Sequence, residues 1–150
     1  MRIWHKWLLS ALPDRKIIAQ WHDCCVVARN IDIIGIPNDV LIDKPISKYP
    51  LSHLYAYSMM VIEEMNSRGI AVSTVSFANF EKHIFSAMEK MCDALEDLSF
   101  DEVFALWHAE KYFWTCINAL LEEYYFCEEL SDEEWDKIEE VSQMYTHPEE

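Results

Sequence analysis

The chain has 150 residues, 51% of them apolar, which is enough for one globular domain with a buried core. Its two glycines, five prolines and lack of a detectable repeat argue against a linker-rich or disordered protein. The apolar runs are short and interrupted by charges, and the start has no cleavable signal pattern. We therefore expect a single domain over residues 1–150 that is cytoplasmic and does not contact a membrane.

The formal net charge of −15 is distributed very unevenly. Residues 1–50 carry seven Lys/Arg and five Asp, a net of +2, whereas residues 51–150 carry five Lys/Arg and 22 Asp/Glu, a net of −17. Duplex DNA bears one negative charge about every 1.7 Å of its axis and is normally bound through several basic contacts. The charge pattern therefore disfavours duplex DNA and suits a compact anionic ligand.

Apolar spacing and turn residues predict helices in chain order. The first is expected near Trp4 to Leu12, the second near Asp14 to Arg29 after Pro13, and its apolar positions form one buried stripe. Residues 30–50 contain too many Gly, Pro and Asn for a helix and are predicted to be a loop. Its apolar part, Ile31 to Ile36, is expected to be extended, and either covers a pocket or contacts another subunit.

Four more helices are predicted in the second part of the chain, near Leu51 to Arg68, Phe77 to Glu96, Phe100 to Glu129 and Asp132 to Met144. Gly69 is expected to end the third helix in a left-handed conformation. Ser99 with Glu102 and Ser131 with Glu134 have capping-box spacing at the last two helix starts. The prediction is an all-α domain of about six helices. The fifth is apolar almost all round, which fits a central core helix or a two-fold dimer interface.

Cysteine and histidine spacing gives no reason to expect a metal or another cofactor. The five cysteines are an odd number and suit reduced thiols packed as small apolar groups. His22, Asp23, Cys24 and Cys25 are adjacent, but neighbouring residues on a helix point about 100° apart, and the spacing lacks the Cys-x-x-Cys or His-x-x-x-His pattern of zinc sites.

Several motifs along the chain resemble the pyrimidine-dimer DNA glycosylase family, especially its short bacteriophage and prophage branch. The N-terminal part of the resemblance consists of the first five residues, Leu12-Pro13 and Gln20-Trp21-His22-Asp23-Cys24. The middle part is Tyr49-Pro50 and the stretch from Glu63 to Gly69. The C-terminal part is formed by His108, Tyr112 and Cys116 at four-residue steps, then Leu120 to Tyr124 and Ser131 to Trp135.

The resemblance implies catalysis by the N-terminal amine. In that family the amine attacks the sugar carbon of a damaged nucleotide, a glutamate of the second helix assists, and arginines hold phosphates. Here Met1 supplies the amine, Asp23 stands where the family has the glutamate, and His22 stands where it has an arginine. An α-amino group has an ordinary pKa near 8 and is partly neutral, hence nucleophilic, at pH 7. If the protein is an enzyme, Met1 and Asp23 are its predicted catalytic residues.

Other residues are candidates for binding a ligand. Each has a structural alternative: His5 and His22 could hydrogen-bond at a helix interface, and His108 and Tyr112, which share a helical face, could pack in the core. The tryptophans near the N-terminus likewise either stack on a base or belong to the core. The predicted ligand-binding residues are Arg2, His5, Gln20, His22, Arg29, His108 and Tyr112.

Three functions are compatible with the sequence. The favoured one is a phage counter-defence protein that uses a glycosylase-like fold to bind, and sequester or degrade, a small nucleotide-like phosphate ligand such as a host defence signal. The second is a glycosylase and abasic-site lyase acting through Met1. The third is an acidic inhibitor that binds a host nucleic-acid-binding protein through the −17 segment. All three would act in the bacterial host cytoplasm.

Overall fold

The computed structural model describes residues 1–35 and 43–145. These residues form a short 3-10 helix at Lys6–Leu8 and six α-helices: α1 (Asp14–Ile33), α2 (Asp43–Ile46), α3 (Ser52–Ser67), α4 (Thr74–Met91), α5 (Glu110–Tyr125) and α6 (Asp132–Tyr145). No strand occurs among them, which confirms the predicted all-α class. Helix α1 packs against α3 and α4, while α6 packs against α5 and the 3-10 helix.

The apolar stripe of α1 is the centre of the core. Ile17, Trp21, Cys24 and Ala28 are all buried, at the three- and four-residue spacing that places side chains on one helical face. The same spacing leaves His22 exposed and Asp23 partly buried beside that face. One face of α1 therefore packs in the core, and the flank beside it carries polar side chains.

Local end signals fix three of the helix boundaries. Helix α3 ends before Gly69, whose φ of +76° and the bond from the Ile70 amide to the Met65 carbonyl form the expected left-handed stop. Ser131 and Glu134 form the predicted capping box, since the Glu134 amide donates to Ser131 Oγ at 3.1 Å and the Ser131 amide to Glu134 Oε1 at 2.9 Å. Helix α4 ends earlier than predicted, because Cys92 takes a left-handed φ of 58°.

Two predictions for the first 36 residues are wrong. The helix expected near Trp4 to Leu12 is reduced to one 3-10 turn, because residues before Lys6 are held in non-helical geometry by distant side chains. The stretch expected to be extended from Ile31 is helical as far as Ile33, where it continues α1. Ile36 lies outside the described residues, so the expected role of this segment stays a prediction.

The fifth helix is also shorter than predicted and begins at Glu110 instead of Phe100. Side chains from elsewhere take up backbone groups that an extended helix would pair internally. The Phe104 amide donates to His53 Nδ1 at 3.0 Å, and the Leu106 and Trp107 amides donate to the Tyr49 hydroxyl at 3.1 and 2.8 Å. Phe104 itself is fully buried with a φ of +51°, a conformation that ends helical geometry at that position.

Lys6 connects the N-terminal segment to the non-helical residues 100–109 by hydrogen bonds. Its side chain is almost completely buried, and Nζ donates to the carbonyls of Phe100, Asp101 and Val103, the last at 2.6 Å. Burial lowers the pKa of Lys6. Three carbonyl acceptors satisfy the three hydrogens of an ammonium group, so the buried lysine is fully paired.

Lys6→Met is expected to lower the free energy of unfolding by about 2 kcal/mol, because it keeps the apolar stem but removes the donor from three carbonyls. Urea unfolding followed by circular dichroism measures the change. The exposed Lys111→Met on α5 is the matched control and should have little effect. An unchanged unfolding midpoint for Lys6→Met would contradict the role assigned to this contact.

No helix in the described ranges is both long enough and apolar enough to cross a membrane. All five cysteine thiols are free, with Cys24 and Cys116 buried and Cys92 and Cys127 exposed. None of the five takes part in a disulfide bond, so this fold has no disulfide framework.

Candidate active site

The first residues of the chain run through the interior, with only the terminus reaching solvent. Ile3, Trp4 and His5 are buried, whereas 52% of Met1 is exposed. The side chain of Arg2 covers the Trp4 ring, with the guanidinium carbon 5.4 Å from the ring centroid. The terminal amine is therefore accessible, while the residues that follow it are fixed.

Gln20 of α1 holds the segment at two backbone positions. Its Oε1 accepts the Trp4 amide at 2.6 Å, and its Nε2 donates to the Arg2 carbonyl at 2.8 Å. The side chain is 1% exposed, so no solvent competes for these bonds. Gln20, predicted to bind ligand, thus has both ends of its amide occupied by the protein's own N-terminal segment.

Two tyrosine hydroxyls also bind the backbone of this N-terminal segment. The Tyr57 hydroxyl lies 2.5 Å from the Trp4 carbonyl oxygen and 2.9 Å from Gln20 Oε1, and the Tyr112 hydroxyl donates to the Ile3 carbonyl at 2.5 Å. Burial raises the pKa of both phenols, which keeps them protonated as donors. We call Gln20, Tyr57 and Tyr112 the N-terminal clamp, which fixes the backbone from Arg2 to Trp4.

Asp23 is a carboxylate that the terminal ammonium influences electrostatically. It is partly buried on α1, and burial raises its pKa, while the N-terminal ammonium and then His22 act in the opposite direction. The electrostatic influence of the ammonium places Met1 and Asp23 in one neighbourhood. A carboxyl group with a raised pKa exchanges a proton more readily near neutrality, which is the property required of a general acid or base.

His5 and His108, both predicted ligand residues, lie in the core beneath the clamp. They are 0% and 4% exposed, and their rings stack with centroids 5.0 Å apart. The Trp7 amide donates to His5 Nδ1 at 3.1 Å and the Lys6 amide to His108 Nδ1 at 3.0 Å. The Nε2 atoms are buried without a hydrogen-bond partner. In this position both histidines support the segment that carries the amine.

His22 and Arg29 lie on the surface side of α1. Both line a cleft between α1 and α4, together with Asn79 and His83 of α4. The roles predicted for Arg2, His22 and Arg29 as ligand contacts stay predictions, as do those of the clamp residues and buried histidines. His83, Lys6 and Tyr57 were absent from the sequence-based candidates, because no local pattern distinguishes them from ordinary helix or surface residues.

Two of the cations in residues 1–50, Arg15 and Lys16, are paired with glutamates from the second part of the chain. Arg15 holds both carboxylate oxygens of Glu134, at 2.6 and 2.9 Å, and lowers the pKa of Glu134 to about 2. Lys16 pairs with Glu123. Arg68, which belongs to the acidic second part of the chain, contacts Asp14 at 3.0 Å. These contacts leave fewer cations available to bind a duplex.

The described residues contain no group of three or more His, Cys, Asp or Glu side chains that could hold a metal ion. The polar groups around the terminus are an amine, a carboxyl, an imidazole and a guanidinium, which supply a nucleophile, a proton carrier and cationic contacts. Groups of these types are chemically suited to joining an amine to a carbonyl or sugar carbon.

Residues 1–76 match a protein-family model described as pyrimidine dimer DNA glycosylase. No curated protein and no solved structure matches the chain. The matched range contains the terminal amine, Asp23, Gln20 and Tyr57, so it covers the candidate reaction centre and most of the clamp.

Proposed function

This chain belongs to the pyrimidine dimer DNA glycosylase family, and on that premise we propose that it performs amine-based chemistry on a nucleotide sugar. The Met1 nitrogen bonds to C1′, the base leaves with the electron pair of the glycosidic bond, and opening of the sugar ring gives an imine. Asp23 moves the accompanying protons. The observation that carries this proposal is an exposed N-terminal residue whose ammonium acts electrostatically on the Asp23 carboxyl group, the pKa of which burial raises.

The clamp supports the same proposal by positioning the nucleophile. Covalent catalysis needs a reacting atom held at a fixed place, and a misplacement of about 1 Å can reduce the rate about 100-fold. A free N-terminus would sample many positions. Here three side chains from α1, α3 and α5 fix the backbone of the next residues, so the amine's freedom is limited to the Met1 residue itself.

The test is borohydride trapping of the protein on an abasic-site duplex at low salt. An abasic aldehyde and the Met1 amine form an imine with loss of water, and borohydride reduces it to a stable amine. The expected result is a covalent adduct that disappears when the N-terminus is blocked. Absence of an adduct from correctly folded, unblocked protein would overturn the proposed chemistry.

Asp23→Asn is expected to slow adduct formation roughly 100-fold or more, because the amide cannot exchange a proton as the carboxyl group does. The initial rate of trapping measures the effect. Asp136→Asn, which removes an exposed carboxyl group from α6, is the matched control and should trap at the wild-type rate. Equal rates for the Asp23 and Asp136 variants would remove Asp23 from the mechanism.

A second function, binding of a small nucleotide-like phosphate ligand, is favoured by the charge distribution. The segment from residue 51 onward has a net charge of −17, and two cations of residues 1–50, Arg15 and Lys16, are paired internally with glutamates. A compact anion needs only a few local cationic contacts, whereas a duplex must approach the whole acidic surface. Such a protein could sequester or degrade a host defence signal.

We expect a bound nucleotide to stabilise the protein by about 2.7 kcal/mol when its concentration is 100 times its dissociation constant. Thermal melting with a panel of nucleotides, cyclic ones included, measures this stabilisation. Arg2→Ala and His22→Ala should each reduce the shift, while Lys111→Ala on α5 should not. A panel that produces no shift at any concentration would rule out this second function.

A further inference from the structure

The cleft between α1 and α4 differs in its lining from the rest of this acidic protein. Its volume is about 530 Å³, within the range of small-ligand pockets. None of the described residues that line it is a carboxylate, although the chain has 27 Asp/Glu and only 12 Lys/Arg. Its polar side chains are two imidazoles, a guanidinium and a carboxamide, from His22, His83, Arg29 and Asn79.

His83 is held in one orientation by a buried carboxylate. Its Nδ1 lies 2.8 Å from Oδ2 of Asp32, whose side chain is only 9% exposed, and Lys90 Nζ contacts the other oxygen of Asp32 at 2.8 Å. Hydrogen bonds from His83, Lys90 and Ser86 hold the pKa of Asp32 far below its usual range. The carboxylate therefore only accepts, so Nδ1 of His83 carries a hydrogen and Nε2 remains for the cleft.

Lys90 neutralises the negative charge of Asp32, which would otherwise repel an anion in this cleft. Asp32 carries a negative charge behind His83, but the Lys90 ammonium contacts both its carboxylate and its main-chain carbonyl, the latter at 2.7 Å. The Asp32–Lys90 pair is neutral as a unit. The exposed guanidinium of Arg29 then gives the lining its positive charge.

We propose that this cleft binds the terminal phosphate monoester of a small ligand, with His83 Nε2 and the Arg29 guanidinium contacting the phosphate oxygens and His22 contributing from the cleft edge. The inference rests on the second proposed function, for which it names the ligand group and its contacts. It is independent of the chemistry at Met1.

The monoester is preferred because it presents three terminal oxygens and a charge of about −1.5 to −2 at pH 7 to the imidazole and the guanidinium. A phosphodiester has only two terminal oxygens and a single negative charge, so it gains less from His83 and from Arg29.

Isothermal titration calorimetry with uridine 5′-monophosphate and with inorganic phosphate at low salt tests the proposal. His83→Phe keeps a ring in place and leaves Asp32 paired with Lys90, and Arg29→Gln removes the guanidinium. Each is expected to raise the dissociation constant of the nucleotide roughly tenfold or more, as loss of a charge-assisted bond does. The matched control Lys82→Gln removes a cation from the next position of α4, outside the cleft lining, and should stay within about twofold of wild type.

A second measurement uses the unaltered protein and does not depend on how the variants fold. In NMR spectra, phosphate should shift the Nε2 resonance of His83 more than those of the buried His5 and His108. Uridine 3′,5′-cyclic monophosphate, a diester, should bind about tenfold more weakly than the monoester. Equal binding of the two would overturn the assignment to a monoester.

Other outcomes separate this inference from the proposed functions. Nucleotide binding that is unchanged by both His83→Phe and Arg29→Gln, with no shift of His83, would overturn the cleft assignment and leave small-nucleotide binding standing. Absence of any binding by wild-type protein would overturn both. Borohydride trapping at Met1 should be equally fast in wild type and His83→Phe. Failure of the imine chemistry would therefore show in the trapping experiment alone and would leave the cleft assignment untouched.

Discussion

Lowering the pH from 7.5 to 4.5 is expected to reduce the free energy of unfolding by at least about 2 to 3 kcal/mol, the contribution expected from His5 alone, with the buried pair of His5 and His108 as the cause. Burial lowers the pKa of His5 from 6.5 to about 4. The folded state therefore favours the neutral ring, and its stability contribution is complete above pH 6.5. It is lost as the pH falls from 6.5 towards 4, because the unfolded chain binds the proton first. Burial also lowers the pKa of His108, whose contribution to stability is therefore lost over the same pH range.

The hydrogen bonds of the two histidines explain why neither can be protonated in place. Each Nδ1 accepts a backbone amide of the N-terminal segment, so a proton there would break that bond. A second charge would also lie against the stacked ring, whose centroid is 5.0 Å away, and near the buried ammonium of Lys6. Acidification should therefore loosen the same segment that carries the catalytic amine.

Urea unfolding at a series of pH values between 7.5 and 4.5 measures this effect. Over most of this window carboxylates with a lowered pKa, such as Glu134, keep their contribution, which is lost as the pH falls through 4.5 towards 2. His22→Asn changes an exposed histidine and should keep the wild-type pH dependence. A free energy that is constant within about 0.5 kcal/mol over this window would show that the buried pair does not control acid stability.

Gln20→Met should be the most damaging single substitution in the clamp, with an expected loss of about 3 kcal/mol in the free energy of unfolding. Methionine nearly preserves the side-chain volume, so the effect comes from hydrogen bonding. The change leaves the Trp4 amide and the Arg2 carbonyl without their partner, and Trp4 is buried. Each buried polar group left unpaired costs about 1 to 3 kcal/mol.

The same variant should lose amine chemistry at temperatures where it is still folded. The rate of borohydride trapping is expected to fall more than the folded fraction, since the amine is no longer held beside Asp23. Lys111→Met, at an exposed position of α5, serves as the control for both measurements. A Gln20→Met protein with wild-type stability and trapping rate would show that the clamp has no role.

Local patterns predicted most of the helical fold. The apolar spacing of α1, the Gly69 stop of α3 and the Ser131–Glu134 capping box depend on residues within a few positions of one another. Such short-range preferences act in the same way in any tertiary context, so a single sequence reveals them. Their agreement with the described helices explains why the all-α class could be predicted correctly.

The two shortened helices had acceptable local patterns and were changed by distant contacts. Residues 100–109 are apolar enough for a helix, but Lys6, Tyr49 and His53 bind their backbone groups from about 50 to 100 positions away. Tertiary hydrogen bonds of this kind outweigh helix propensities of a few tenths of a kcal/mol per residue. Periodicity in the sequence does not reveal these long-range hydrogen bonds.

For the candidate site, the sequence by itself determined which groups are present: an N-terminal amine, with Asp23 and His22 on the flank of an amphipathic helix, in a chain with an acidic second part. Only the tertiary structure decided what the other polar residues do. It placed Gln20, Tyr57 and Tyr112 on the N-terminal backbone, buried His5 with His108, and joined His83 to Asp32 across α1 and α4. These roles follow from partners 16 to 109 positions apart, whose proximity is fixed by helix packing and not by spacing along the chain.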